Sequence, residues 1–126
     1  MLPKQYRLKK RTAFNATYRI KNSFFIDGIT VFCGKVKNTD SPTKIGFVVS
    51  KKIHKRAVKR NRIKRLMREC VRLYIKRSSS FDTKYMSLIF VASSKLLNKD
   101  FNEINKSIIK IMGKIGNAWW YFNTNA

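Results

Sequence analysis

The chain has 126 residues, 44% hydrophobic and 13% aromatic, enough to bury the core of one compact domain and too many for a disordered basic tail. Lys and Arg number 29 against six acidic residues, a net charge of +23. Such a chain repels itself unless a polyanion is near, and its longest apolar runs fall far short of the roughly 20 residues that cross a bilayer, so nucleic acid is the expected partner and acidic lipid the lesser one.

The N-terminus, MLPKQYRLKKR, is basic, lacks the apolar stretch of a secretory signal and is expected to be extended. It is loosely like a mitochondrial transit peptide, but the folded pattern starts almost at once and leaves little to cleave, so a cytoplasmic protein is expected. Thr12 is placed to cap a short helix running to about Lys21, with Phe14 and Tyr18 on one side beside Ala13 or Thr17. Residues 24–26 suggest a short strand, and Asp27-Gly28 a hairpin turn, because both residues tolerate positive φ. Residues 29–36 read as the return strand, with Ile29, Val31 and Cys33 on one face and Thr30, Phe32 and Gly34 on the other. Residues 38–43 form a loop, and residues 44–50, with the apolar run IGFVV, a buried strand. Residues 51–55 link it to a helix that ends near Arg77.

That helix is the most informative element. Between Arg56 and Glu69 it packs seven Lys or Arg residues into fourteen. Ile63, Leu66, Met67, Cys70, Val71 and Tyr74 recur at helical spacing and, at about 100° per residue, form one stripe. Asn61, Lys64, Arg65, Arg68, Arg72 and Lys76 fall largely opposite, with Arg60 and Arg62 on the flanks. Seven cations with a single acid, Glu69, would serve stability poorly as a merely solvated face. An ordered ridge of this kind suits a rigid array of phosphates.

Residues 78–80 are a polar loop and residues 85–92 (YMSLIFVA) a further strand. Asp100 opens a last helix, with Glu103 completing a capping-box-like pair. Phe101, Ile104, Ile108, Ile111 and Ile115 give its core stripe, and Gly113 or Gly116 should end it. The tail NAWWYFNTNA has no usable periodicity, and Trp119 and Trp120 read as a local packing plug rather than a stacking platform. The expected order is α-β-β-β-α-β-α in one α+β domain over residues 1–126, with about four strands and three helices. Cys33 and Cys70 fall on apolar faces and read as reduced core residues, since a disulfide framework or zinc site needs more ligands at closer spacing.

A protein nuclease needs a general base, a metal cage or an activated nucleophile. Asp27 is a turn residue, Asp40 and Asp82 lie in loops, Asp100 and Glu103 look like caps, and Glu69 is alone on the basic helix. The one histidine, His54, sits amid Lys52 and Lys55 and reads as a phosphate contact or a solvated residue before a general base. The polypeptide therefore offers no credible active site of its own. It should be an RNA- or DNA-binding protein, or the partner of a catalyst that is not protein.

The segment IGFVVSKKIHKRAVKRNRIKRLMRE, residues 45–69, resembles the signature of the bacterial ribonuclease P protein subunit. That signature joins an apolar strand ending in Val-Ser-Lys-Lys to a helix carrying Arg-Asn-Arg-x-x-Arg and a further Arg. Arg60, Asn61, Arg62, Lys64, Arg65 and Arg68 match it in order, and RLKKRTAFNATY resembles the family's opening. Lys44, His54, Ser93 with Ser94, and the WWYF tail depart from the usual pattern. The resemblance implies a two-layer α/β sandwich similar to the ribosomal protein S5 domain 2-like fold. It implies a catalytic RNA subunit whose bound Mg²⁺, held by that RNA and the substrate, activates water to cleave the 5′ leader from precursor tRNA. No catalytic or metal-ligating residue is then expected in the protein, and one protein per RNA is expected. By position, Arg56, Lys59, Arg60, Asn61, Arg62, Lys64, Arg65 and Arg68 would bind the RNA subunit. Phe14, Tyr18 and Phe32, with Ser50, Lys51 and Lys52 at the edge, would form the cleft for the single-stranded leader. On spacing alone Phe14 and Tyr18 would equally serve as core, and Phe32 would serve under a covered sheet face. A structural RNA-binding protein of ribosomal type and an architectural DNA-binding protein remain as rivals.

Overall fold

The computed structural model describes residues 2–37, 41–77 and 85–125, with side chains described as far as Ile115. Seven elements follow in the predicted order: α1 (Arg11–Arg19), β1 (Asn22–Ile26), β2 (Ile29–Cys33), β3 (Lys44–Val48), α2 (Ala57–Arg77), β4 (Ser87–Ala92) and α3 (Phe101–Asn125). The strands form one mixed sheet in the order β1-β2-β4-β3. The β1–β2 and β2–β4 pairs are antiparallel, whereas β3 and β4 run parallel. Parallel neighbours need a long crossover, and here α2 is that crossover.

The hairpin turn forms as the sequence predicts. Ile26 pairs with Ile29, and the two residues between them, Asp27 and Gly28, have φ of 50° and 89°. A two-residue turn of this hand matches the twist of the strands. In β2, Ile29, Val31 and Cys33 are buried while Thr30 and Phe32 are half-buried, the alternation of a sheet with unequal faces. Directly paired residues share a face, so Leu88, Phe90 and Ala92 of β4, and Ile45 and Phe47 of β3, lie on the same side as Val31. Phe47 and Phe90 stack there at 5.5 Å.

That side meets α2 and α3, the second layer of the sandwich. Ile63, Met67, Cys70 and Val71 of α2 are buried, with Leu66 and Tyr74 packed partly buried against them. From α3, Ile104, Ile108, Ile111 and Ile115 are fully buried. Asp100 and Glu103 cap α3 reciprocally: the Glu103 N–H donates to Asp100 Oδ1 at 2.9 Å, and the Asp100 N–H donates to Glu103 Oε1 at 3.5 Å.

Several boundaries differ from expectation. The α3 helix does not stop at Gly113 or Gly116 but runs through both. A glycine inside a helix costs about 0.5–1 kcal/mol, less than one buried isoleucine contributes, and the apolar stripe continues past Gly113 to Ile115. Thr12 does not cap α1: the helix starts two residues earlier, Lys10 is the cap residue, and no side chain bonds there. The N-terminus is not simply extended. Lys4–Tyr6 form a 3-10 turn, Leu2 is buried, and the Leu8 N–H donates to Ile45 O at 2.9 Å, so the segment seals the outer edge of β3. The regular part of β2 ends at Cys33, but its register resumes where Val36 bridges Tyr85. The loop expected at 78–80 lies outside the described residues, as do the first residues of the loop expected at 38–43 and the side chains of Trp119 and Trp120.

Cys33 and Cys70 are buried and form no disulfide. Burial, then the charge of Glu69, pushes the Cys70 thiol up to about 11, so it stays neutral and unreactive at physiological pH. The stripe of α2 yields a stability prediction. Met67 is fully buried and Leu66 only partly, so Met67→Ala should cost about 2–5 kcal/mol and Leu66→Ala clearly less, as read by urea denaturation.

Candidate nucleic-acid interface

The surface of α2 opposite its buried stripe carries the cations. Arg56, Lys59, Asn61 and Arg65 are exposed, and Arg60, Arg62, Lys64 and Arg68 are half-buried. Lys64 and Arg68 reach round to the edge of β3. The acid of this helix neutralises a cation further along: Glu69 accepts from Arg72 Nη2 at 2.6 Å and Nε at 3.1 Å. That hydrogen bonding, followed by the charge of Arg72, holds the Glu69 carboxyl below its usual range. The first three turns of the ridge are left wholly cationic.

The link before α2 is ordered by its own hydrogen bonds. After β3, the Ile53 N–H closes a turn on Ser50 O at 3.0 Å, and Ser50 Oγ accepts from the Lys52 N–H at 3.2 Å. His54 Nδ1 accepts from the Arg56 N–H at 3.0 Å. This bond lies at the start of α2, one residue before its first turn.

The sheet's other face carries α1. Phe32, Ile89 and Gly46 are register partners on that face. Thr17, buried in α1, bonds Ser87 Oγ of β4 at 2.6 Å and donates to Ala13 O at 2.9 Å. This short bond fixes the helix across the sheet. Phe14 then lies over Gly46 of β3, where an added Cβ would fall 2.5 Å from the ring. Tyr18 meets Phe32 of β2 edge-on, with ring centroids 5.0 Å apart. All three rings are half-buried. Burial raises the Tyr18 phenol above its ordinary value, so it remains a donor at physiological pH.

Beyond α1 the same face continues through half-buried Thr30, Val48 and Val91. Ser50 follows Val48 by two, on the same alternation, and Lys51 and Lys52 are exposed next to it. The structure thus places Ser50, Lys51 and Lys52 at the carboxyl end of β3, with Phe14 nearer its amino end. Around Phe14 a cavity of about 330 Å³ opens, lined also by Arg7, Leu8, Lys9, Lys64 and Arg68. It brings Phe14 and the cations of α2 together round the edge of β3. Arg7, Lys9 and Gly46 were not picked out by sequence reasoning, although a glycine inside a strand is the usual sign of a close approach.

The described acids are dispersed. Asp27 pairs with Lys110 at 3.5 Å, Asp100 and Glu103 cap α3, and Glu69 holds Arg72. Among the described residues, no three His, Cys, Asp or Glu side chains are grouped to hold a metal ion, and no helix is long and apolar enough to cross a membrane.

A mixed sheet bearing one cationic crossover helix, with half-buried rings on its other face, makes this a small α+β domain. The family model for ribonuclease P matches residues 2–116, and the chain belongs to the ribonuclease P protein family. It is 35% identical over 114 residues to the ribonuclease P protein component of Clostridium kluyveri, covering 88% of this chain and 95% of that one. The component of Listeria innocua is 35% identical over 115 residues, 91% of each chain. Among solved structures, the ribonuclease P protein of Staphylococcus aureus superposes with a TM-score of 0.70 at 27% identity, over 88% of this chain and 97% of that one. The protein from Thermotoga maritima, at 20% identity and a TM-score of 0.70, shares the fold. Membership places the chain in a tRNA-processing ribonucleoprotein, with an RNA partner.

The seat of Phe14 can be tested directly. Gly46→Ala should displace the ring, because the new methyl occupies its position. The expected cost is about 1–3 kcal/mol. Loss of the NOEs between the Phe14 ring and residue 46, with the sheet's amide pattern retained, checks it.

Proposed function

We propose that the chain is the non-catalytic protein subunit of a ribonuclease P whose RNA subunit performs cleavage, and that it binds both this RNA and the single-stranded 5′ leader of precursor tRNA. The observation that carries this is the presence of two unlike surfaces on one rigid domain. The helix α2 presents cations fixed in direction by a buried stripe, suited to folded RNA whose phosphates are themselves fixed. Arginine there adds bidentate phosphate contacts that lysine cannot make. The face under α1 presents half-buried rings that stack on bases without demanding one sequence.

The ridge residues Arg56, Lys59, Asn61, Lys64, Arg65 and Arg68 face the RNA subunit. Phe14, Tyr18 and Phe32 take leader bases, and Ser50, Lys51 and Lys52 guide the leader's backbone at the far end of β3. The family's Mg²⁺ finds no fitting cage among the described side chains and is assigned to the RNA subunit and substrate. The protein's contribution is to offset phosphate repulsion where two RNAs approach and to hold the leader in place. One protein per RNA, in the cytoplasm, completes the proposal.

The test is reconstitution with a bacterial ribonuclease P RNA and precursor tRNAs carrying a long or a very short leader. The protein alone should cleave neither substrate, and it should stimulate cleavage by the RNA at low Mg²⁺. Phe14→Ala should weaken binding of the long-leader substrate about 5- to 150-fold, the value of one stacked base, and leave the short-leader substrate unchanged. Equal loss on both substrates with a lowered melting temperature would make Phe14 a packing residue. Robust cleavage by RNA-free protein would overturn the non-catalytic assignment.

A further inference from the structure

Asn61 stands between two arginines, and both turn back onto the protein's own backbone. Arg60 Nη1 donates to His54 O at 2.8 Å and to Lys55 O at 3.0 Å. Arg62 Nη2 donates to Lys99 O at 3.3 Å, in the turn before α3. Lys99 extends the chain of bonds, for its Nζ donates to Asp27 O at 3.2 Å in the β1–β2 turn. Asp27 Oδ2 in turn meets Lys110 Nζ at 3.5 Å and Ser107 Oγ at 3.4 Å on α3. The cationic helix is thereby fastened at one flank to the link that precedes it and at the other to α3 and the hairpin.

The helical geometry explains the division. Arg60 and Arg62 lie on the flanks of α2, next to the buried stripe, where neighbouring backbone is within reach. Arg65 lies opposite the stripe, is exposed, and bonds to no group among the described residues. A guanidinium that swung out to a phosphate from position 62 would leave Lys99 O without this donor.

We propose that Arg60 and Arg62 are positioning residues that set the direction of the RNA-binding face, while phosphate contact falls to the exposed cations represented by Arg65. This rests on the proposed RNA binding by α2. A positioning residue and a phosphate contact differ in one measurable respect. Removing a phosphate contact lowers the slope of log affinity against log salt by roughly 0.7–0.9. Removing a clamp lets the face tilt, so affinity falls by the same factor at every salt concentration and the slope stays.

The experiment measures binding to a bacterial ribonuclease P RNA transcript across a salt series, with concentrations corrected for the folded fraction. Arg65→Ala should lose slope. Arg60→Ala and Arg62→Ala should keep the wild-type slope and bind about 2- to 12-fold more weakly throughout, the value of one hydrogen bond. Arg62→Lys, which keeps a donor for Lys99 O, should recover most of the loss. A slope reduced by a full contact in Arg62→Ala overturns the proposal, as does unchanged affinity of the folded protein. If wild-type protein shows no salt-dependent RNA binding, the functional reading falls instead, and amide exchange of the unbound protein decides the clamp. Faster exchange at Asp100 and Phe101 in Arg62→Ala but not in Arg65→Ala supports it, and equal exchange in the two variants overturns it.

Discussion

The burial of one stripe of α2 is the interaction on which the rest depends. Like charges three or four residues apart on a helix repel by about 0.2–0.5 kcal/mol per pair, and the first turns of α2 contain several such pairs. Each fully buried apolar side chain contributes about 1.5–3 kcal/mol in the other direction. Ile63, Met67, Cys70 and Val71 therefore outweigh the repulsion and hold the cations on one side of a single rod. Without that stripe the same residues would form a mobile basic tail, able to attract a polyanion but not to present a fixed pattern to it.

The sheet separates two jobs by using its two faces differently. One face is largely apolar and packs against α2 and α3. The other is only partly covered, because α1 crosses it and is fixed there by the short bond between Thr17 and Ser87. Where α1 meets the sheet, Phe14, Tyr18 and Phe32 stay half-buried, which is the condition for stacking: a fully buried ring has no free face, and a fully exposed one is not held in place. Gly46 has the same logic, since the missing Cβ is what allows the Phe14 ring to sit so close to β3.

Much of this was legible in the chain because periodicity reports burial. The stripes of α2 and α3, the alternation of β2, the Asp27-Gly28 turn and the Asp100–Glu103 cap all follow from local rules, and all formed. The misses share a different cause. Thr12 is a good cap residue, but where α1 begins is decided by the tertiary seat of Phe14, Thr17 and Tyr18. Gly113 is a good stop signal, but the apolar stripe continuing to Ile115 overrides it. The N-terminal segment looked featureless because its structure is an edge contact with β3, which no local pattern encodes. The flank positions of Arg60 and Arg62 were visible on a helical projection, whereas the carbonyls they reach, in the link and before α3, were not.

The crossover role of α2 has a consequence for how the protein is maintained. Because β3 and β4 are parallel neighbours, the helix that joins them is also the connection that makes their pairing possible. The β3 edge of the sheet and the cationic face are consequently parts of one continuous β3-α2-β4 unit. A polyanion that recognises the ordered face selects complete molecules from the population. By mass action, each equivalent it captures draws the folding equilibrium toward the native chain. The RNA in such a particle then acts on its protein much as a tight ligand does, and a chain with so large a charge surplus is at its most stable when assembled.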